Sequence, residues 1–286
     1  MEHSHQYISM LFKIGSFTSV LSVMDLYATV LRRTCPESSE GLVNHRRCST
    51  TLDVQLKYYA SLDDLLSLIT YRPMFLRYTL DFLSPQMEHI MKSNKETGLR
   101  WMYGVPDQLM FTLAKMNGSF ADFGNRVDPE TIQELEQEIT ACRLGPVVSI
   151  GSGEDPILKL GRIMVEEAWM MATRVYLYTG LCEANSLDAR VVKVQKVFVR
   201  YLGGVKARRN PDSFLVYPIA ILGVAATWPA DQTTLLTRLW GILECNRPGT
   251  VGNDIVRMLN DIWARTTARS AVWADVRSAC LRITGM

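Results

Sequence analysis

The sequence lacks any C-x-x-C pair, and its few cysteines are widely spaced. Six are present, at positions 35, 48, 142, 182, 245 and 280, with steps of 13 to 94 residues between them. The absence of close pairs excludes zinc fingers, zinc clusters and thioredoxin-type redox sites within this sequence. Six cysteines in 286 residues are also too sparse for a disulfide scaffold, so we expect reduced thiols in an intracellular compartment.

An excess of charge of either sign is also missing. Lys and Arg total 31 against 29 Asp and Glu, a formal net charge of +2 at pH 7. A chain that neutralises many DNA phosphates by itself is usually far more basic, so stand-alone DNA binding is disfavoured. The pairs Arg32-Arg33 and Arg46-Arg47 and the segment Lys206–Arg209 are short and typical of solvated helix ends. The last of them is also similar to part of a nuclear import signal.

Long hydrophobic runs are absent. The longest uncharged apolar stretch, Phe214 to Trp228, is 15 residues long and contains Pro218 and Gly223. A bilayer span needs about 20 residues, so the stretch predicts a buried, kinked core helix, with the lining of an effector cavity as the alternative. The N-terminal residues lack the cationic start and clean apolar centre of a signal peptide, and we expect a soluble chain that is not secreted.

Helical periodicity is what the sequence does contain, and 48% of its residues are hydrophobic. Asp128-Pro129-Glu130 has the N-cap, N1 proline and first-turn acid of a helix start, followed by an apolar stripe through Ile132, Leu135 and Ile139. Four more helices are predicted: from Ser186 to Gly203-Gly204, from Asn210-Pro211 through Trp228, from Asn253 with Ile255, Met258, Leu259 and Ile262 inward, and from Val272 to Ile283.

The chain is predicted to be all-α: a large, irregular multi-helix bundle in a single continuous domain. Thr34 to Thr51 and Cys142 to Pro156 are rich in turn residues and predict internal loops. We divide the chain into an N-terminal helical segment and loop, residues 1–52, and a main region, residues 53–286, with an internal loop at 142–156. The best strand pattern, residues 146–150, is short.

Catalytic and metal-binding motifs are nearly absent. The four histidines, at positions 3, 5, 45 and 89, are too scattered for a metal site, and Gly151-Ser152-Gly153 fits neither a nucleophile elbow nor a phosphate loop. We therefore predict no catalytic, cofactor-binding or metal-binding residues and no cofactor.

One enzymatic alternative is a terpenoid synthase, an all-α enzyme that chelates magnesium with two acidic helices. Asp63-Asp64 and the run from Asn253-Asp254 to Asp261 are similar to parts of its two motifs. Ser67 stands where the first motif needs another acid, and Arg257 replaces the hydroxyl ligand of the second. Since a cation among the ligands opposes magnesium, this alternative is remote and we predict that the chain is not an enzyme.

From about residue 53 onward the sequence resembles the fungal-specific transcription factor domain, in particular its basidiomycete form. This is the helical regulatory region that follows a zinc binuclear cluster in fungal transcription factors. The stretches that carry the resemblance, in order, are Arg72-Pro73-Met74-Phe75-Leu76-Arg77-Tyr78; Gly98 to Asp107 with Ala114 to Gly118; Tyr176 to Ala184 with Asp188 to Val191 and Asn210-Pro211-Asp212; and Gly252-Asn253-Asp254 to Trp263 with Val272 to Arg277 and Thr284-Gly285.

The motifs predict architecture more than chemistry. Gly104-Val105-Pro106-Asp107 separates two helices, and Trp101, Trp169, Trp240, Trp263 and Trp273 are expected to be core anchors. Tyr71 stands where the family commonly has glycine before Arg-Pro. A left-handed tyrosine costs on the order of 1 kcal/mol or more, so we expect the turn to be built differently here.

The resemblance implies a nuclear regulatory domain that acts through the transcription machinery or other regulators, through intramolecular masking, or through a small effector. A homodimer is left open, and no sequence-specific DNA binding by this chain alone and no membrane partner are expected. The family's zinc cluster is missing, so this is either part of a longer protein or a cluster-less paralogue. The alternative is a cluster-less helical scaffold or regulator.

Overall fold

A computed structural model describes residues 4–35, 41–50, 53–81, 99–142, 156–207 and 212–286. The helices are α1 (Ser4–Ile14), α2 (Phe17–Thr34), α3 (His45–Thr50), α4 (Val54–Thr70), α5 (Leu99–Tyr103), α6 (Asp107–Phe123), α7 (Pro129–Ala141), α8 (Pro156–Tyr176), α9 (Ala189–Gly204), α10 (Val216–Gly223), α11 (Pro229–Trp240), α12 (Leu243–Asn246), α13 (Val251–Arg265) and α14 (Ala274–Thr284). A π-helical turn, Leu177–Leu181, extends α8. The predicted all-α fold in one compact body is confirmed.

Helix α4 lies at the centre of this body. Its N-cap is Asp53, whose carboxylate accepts the backbone N–H groups of Gln55 and Leu56. From Tyr59 to Thr70 every residue is buried, because α1, α2, α3, α6, α10 and α14 all pack against it. Two aspartates lie within this buried run, and the candidate site is built around them.

The predicted loop at Thr34 to Thr51 is more ordered than expected. It contains β1 (Leu42–Asn44) and α3. Strand β1 pairs in parallel with β2 (Arg77–Thr79), with Leu42 opposite Arg77 and Asn44 opposite Thr79. The pairing joins segments that are distant in the sequence, and three-residue strands leave no alternating pattern from which to predict it.

The predicted helix start at Asp128 is confirmed, and the one at Ser186 is wrong. Asp128 is the N-cap of α7 as predicted, and its carboxylate accepts the N–H of Thr131 at 2.8 Å. Ser186 is not a cap, since α9 begins at Ala189 with Asp188 as N-cap, and the Ser186 hydroxyl instead accepts the N–H of Ala271.

Asn253 does not begin α13 either. The N-cap of that helix is Thr250, three residues earlier, and the Asn253 side chain donates to the carbonyl of Cys245. The inward positions predicted for this helix are correct, because Ile255, Met258, Leu259 and Ile262 are all buried.

The stretch predicted as one helix from Asn210 to Trp228 is divided. Within it, α10 covers Val216–Gly223, and Trp228 is already the N-cap residue of α11. Pro218 lies in the first turn of α10, where a missing N–H breaks no helical bond, so no kink is required. Asn210 itself lies outside the described residues.

The end of α9 also differs from expectation, because a glycine pair such as Gly203-Gly204 favours a left-handed C-cap at the predicted helix end. The helix includes both glycines, and Val205 follows in an extended conformation. Arg238 on α11 closes this end instead. Its guanidinium donates to the carbonyls of Leu202 and Val205 and binds the Asp212 carboxylate at 3.0 Å.

Three of the five predicted tryptophan anchors are confirmed. Trp169, Trp263 and Trp273 are buried, and the indole N–H of Trp169 donates to the Tyr103 carbonyl at 2.9 Å. Trp240 is not an anchor, since it lies at the end of α11 with 41% of its surface exposed. The side chain of Trp101 lies outside the described residues.

Two turns with positive φ follow helices α5 and α4. Gly104, between α5 and α6, has φ +71, and a Cβ there would lie 2.5 Å from a Val165 methyl. The predicted helix break is thus confirmed. Tyr71 at the end of α4 has φ 51 and ψ 49, so the expectation of a differently built turn is wrong. Its ring packs on Phe120, with centroids 4.7 Å apart, and this contact offsets the strain.

The strand pattern at 146–150 and most of the predicted loop at 142–156 fall outside the described residues, although α7 ends at Ala141 and α8 begins at Pro156. The division at residue 52 stays a prediction. In the part of the chain that the structure describes, no helix is both long and apolar enough to cross a bilayer.

Candidate functional site

A buried polar cluster joins α3, α4, β2 and α6. Its members are His45, Ser49, Asp63, Asp64, Arg72, Tyr78 and Asn117. Asp63 is fully buried and accepts four hydrogen bonds, from the backbone N–H groups of Phe75 and Leu76 at 2.8 and 3.0 Å and from Arg72 and Tyr78 at 3.2 Å each. One carboxylate therefore folds the segment after α4 back onto the helix.

The charge of Asp63 is balanced locally. Burial raises the pKa of Asp63 to about 6, while the Arg72 guanidinium and the two backbone N–H groups act in the opposite direction. Arg72 in turn lies over the Phe75 ring, 3.4 Å from its centroid. The guanidinium is thus held between a carboxylate and an aromatic face, two partners that favour a cation.

The second aspartate of the cluster belongs to a Ser-His-Asp arrangement. Asp64 Oδ2 lies 2.5 Å from His45 Nε2, and the Ser49 hydroxyl lies 3.3 Å from His45 Nδ1. Burial raises the pKa of Asp64, and His45 acts in the opposite direction. His45 and Ser49 have no exposed surface, so no substrate has access to the hydroxyl in this conformation. The three side chains fasten α3 to α4.

Asn117 on α6 extends the hydrogen-bonded cluster to α8. Its side-chain N–H donates to the Asp64 backbone carbonyl at 3.0 Å, and its side-chain oxygen accepts the Tyr176 hydroxyl at 2.8 Å. All of these atoms are buried, where an unmade hydrogen bond costs about 1–3 kcal/mol. The polar cluster therefore specifies how four helices meet.

The second acidic stretch is also engaged in holding helices. Asp254 accepts the backbone N–H of Phe17 at the start of α2 and lies 3.2 Å from Arg257. Asp261 binds Arg265 at 3.0 Å and also Arg282 on α14. Arg257 occupies the carboxylate that a metal would need, which supports the earlier argument against magnesium binding. Among the described residues, no three His, Cys, Asp or Glu side chains are grouped to hold a metal ion.

The short basic segments of the sequence differ in their exposure to solvent. Arg32 and Arg33 are exposed at the end of α2. Arg46 packs inward, with its guanidinium 4.8 Å from the Phe111 ring centroid and its Nε donating to the Leu80 carbonyl at 2.5 Å. Lys206 is exposed after α9, and Arg208 and Arg209 lie outside the described residues. At least one of the pairs therefore contributes to packing.

The apolar stretch that includes α10 does line a cavity, together with Ile69, Leu259 and Trp273. Its volume is about 20 Å³. That is room for about one water molecule, and the apolar lining offers it few hydrogen-bond partners. The stretch is therefore core, as the main interpretation predicted, and the cavity is too small for a metabolite.

Sequence reasoning missed most of the polar cluster. His45 is one of four scattered histidines, and the stretches of the family resemblance that contain Asn117 and Tyr176 do not mark either residue as a partner of the buried aspartates. The available signal was the spacing of His45 and Ser49, four residues apart and so on one face of a helix. Their partner Asp64 is a tertiary contact that no local pattern indicates. His3, His89 and Gly151-Ser152-Gly153 lie outside the described residues.

The fold and the cluster define a class of protein: a helical domain whose interior charges bond to one another and to its own backbone. The family model for the fungal specific transcription factor domain matches residues 24–281. The chain therefore belongs to the fungal specific transcription factor domain family, and the resemblance stated from sequence is confirmed. Comparisons with curated proteins and with solved structures find no match.

Proposed function

We propose that this chain is a nuclear regulatory domain that modulates transcription through protein contacts and does not itself contact specific DNA sequences. The observation that carries the proposal is the family match over residues 24–281. The near-neutral charge and the inward packing of Arg46 support it, because neither favours a phosphate-binding surface.

A reporter assay tests the regulatory role. The chain is fused to an unrelated sequence-specific DNA-binding domain and compared with that domain alone on a promoter of intermediate strength, so that activation and repression are both visible. We expect a change in reporter output that is lost in an Asp63→Ala fusion, because that substitution breaks the polar cluster. Unchanged output from a fusion that is folded and nuclear would favour the scaffold alternative.

An electrophoretic mobility assay tests the second half of the proposal. The purified chain should give no sequence-specific shift with a pool of random duplexes at physiological salt. A specific shift that competitor DNA of unrelated sequence leaves intact would contradict it.

The remaining enzymatic alternative has a direct test. Incubation of the chain with a prenyl diphosphate and Mg²⁺ should release no diphosphate above the buffer blank. Magnesium-dependent release that is abolished in Asp64→Asn but kept in Arg257→Ala would instead support the terpenoid-synthase alternative.

We further propose that the exposed side of α1 forms a contact with a second copy of this chain. Tyr7, Met10 and Ile14 recur at one-turn spacing and are 45%, 49% and 55% exposed, while Ile8 faces the core. In an antiparallel pair of such helices, Met10 meets its own copy and Tyr7 meets Ile14. Lys13 then lies beside the second Tyr7, whose ring attracts a cation.

Sedimentation equilibrium tests the self-association. Met10→Glu should weaken it at least tenfold, because two carboxylates would meet at the symmetry axis. Leu243→Glu is the matched control, since Leu243 on α12 is also exposed but lies on another element. A wild-type chain that stays monomeric up to its highest soluble concentration would contradict the homodimer.

A further inference from the structure

Two of the six cysteines lie side by side. Cys35 follows the last turn of α2 and is half-buried, and Cys48 lies in α3 and is buried. The two thiols are within hydrogen-bond contact, and both line one small cavity with Val43, Leu56 and Tyr78. The cavity volume is about 10 Å³.

Such an arrangement suits disulfide formation. The contact between the two side chains is already made in the reduced chain, whereas bringing distant thiols together would require rearrangement of the backbone. The residues between them belong to one short chain segment, so the bond would close a ring of modest size. No contact of this kind is seen between the other cysteines in the described parts of the chain.

We propose that Cys35 and Cys48 form a redox-sensitive dithiol, which closes to an intramolecular disulfide by exchange with a low-molecular-weight disulfide such as oxidised glutathione. This modification site is independent of the proposed transcriptional role. It resides in the segment that carries β1 and α3, beside the polar cluster.

The exchange proceeds in two balanced steps. The more exposed Cys35, as its thiolate, attacks one sulfur of the small disulfide and releases one small thiolate. The sulfur of Cys48, as its thiolate, then attacks Cys35 in the mixed disulfide and releases the second. The two protein thiols lose two electrons and two protons, which the two released small thiols carry.

The second step should set the rate. The hydrogen bond that the Cys48 thiol donates to Cys35 and burial together raise the pKa of the Cys48 thiol. A thiol with a raised pKa holds little thiolate at neutral pH, so closure is slow there and accelerates as pH increases. Closure also fastens the end of α2 to α3.

Peptide mapping of the wild-type chain tests the proposal directly. The folded protein is incubated with oxidised glutathione, free thiols are alkylated, and the chain is digested with trypsin. Because Arg33, Arg46, Arg47 and Lys57 flank the two cysteines, the bond joins two separate peptides, residues 34–46 and 48–57. We expect this linked pair in the oxidised sample and its loss after treatment with a reducing agent.

The thermal midpoint provides a second readout. A ring of this size restricts the unfolded chain, and oxidation should raise the midpoint by about 5 to 10 °C in the wild type. Cys35→Ser should abolish both the linked peptide and the shift. Cys182→Ser, which changes another half-buried cysteine, is the matched control and should retain both.

Two outcomes would overturn the proposal. One is glutathione attached to Cys35 or to other cysteines with no 34–46 to 48–57 linkage. The other is linkage among other cysteines in the folded chain at a comparable yield.

Discussion

The two sides of α4 are held by different physical means. On one side lies the polar cluster, in which Asp63 and Asp64 bond to groups on α3, β2 and the turn after α4. On the other lies an apolar layer, in which Ile69 meets α10, α13 and α14 around a small apolar cavity. The stability of the polar side depends on each buried polar group having a hydrogen-bond partner. The stability of the apolar side depends on how well the side chains fill the interior. Removing one partner from the polar side should therefore cost more stability than removing one methylene group from the apolar side.

The largest effect is expected at Asp63. In Asp63→Ala, the Arg72 guanidinium and two backbone N–H groups lose their acceptor in the interior. Breaking a buried ion pair from one side costs about 3–5 kcal/mol, which urea unfolding monitored by circular dichroism would measure. Asp25→Ala on the exposed face of α2 is the control and should change stability by no more than about 0.5 kcal/mol.

Replacing both partners sharpens the comparison. A buried ion pair exchanged for apolar side chains is often neutral, but here the carboxylate also serves backbone donors. Asp63→Leu with Arg72→Met should therefore recover only part of the loss, because the N–H groups of Phe75 and Leu76 stay unbonded. Recovery of the full wild-type stability would show that the two backbone bonds contribute little.

A pH dependence is expected from the polar side alone. Since burial raises the pKa of Asp63 to about 6, the folded chain holds this proton more tightly than the unfolded chain does. The contribution is complete below about pH 4 and is lost as the pH rises through about 6, a change on the order of 3 kcal/mol. The stability difference between wild type and Asp63→Asn should accordingly be larger at pH 4.5 than at pH 7.5.

The Asp63→Asn variant keeps all the other titrating groups, so the difference in stability between the two proteins reports on Asp63 alone. A difference that grows with increasing pH would mean that the donors around Asp63 outweigh its burial.

Substitutions in the apolar layer should reduce the stability of the protein less than those in the polar cluster. Ile255→Val removes one methylene group beside the cavity and should cost about 0.5–1.5 kcal/mol, measured by the same urea unfolding. Leu259→Met keeps the volume and should cost less than about 1.5 kcal/mol. A loss as large as that of Asp63→Ala would remove the distinction between the two sides.

An effect of similar size is expected at the turn of Tyr71, which leads from α4 into the polar cluster. Tyr71→Ala loses the contact with Phe120 and keeps the left-handed strain, whereas Tyr71→Gly loses the contact and also the strain. The glycine variant should be more stable than the alanine variant by about 1 kcal/mol in thermal unfolding. Equal stabilities would show that the left-handed backbone is not strained here.

Features that depend on neighbouring residues in the sequence could be predicted, and features that depend on tertiary contacts could not. The stripe of α13 and the cap at Asp128 are local, so periodicity and capping preference located them correctly. Ser186 and Asn253 misled because their side chains bond to Ala271 and Cys245, contacts that depend on the folded neighbourhood. A capping residue whose side chain is used elsewhere in the fold looks the same in sequence.

The candidate site was harder to predict for the same reason. Asp63-Asp64 is similar to part of a terpenoid-synthase magnesium motif, and nothing in the local sequence indicates that both carboxylates are buried. Six other helices pack against α4 and bury it from Tyr59 to Thr70. Both carboxylates must therefore find hydrogen-bond partners inside the protein, and this follows only from the tertiary packing. The left-handed Tyr71 was likewise unexpected, since the stacking of its ring on Phe120 is a tertiary contact.

Arg238 has a practical consequence for engineering the chain. Its guanidinium holds the Val205 carbonyl on one side of residues 206–211 and the Asp212 carboxylate on the other. The two ends of this short segment are therefore fastened to one side chain, and the entropy of closing a longer loop between them grows only slowly with length. An epitope tag or fluorescent domain inserted after Lys206 should leave the bundle intact, which makes this the preferred point for labelling the protein internally.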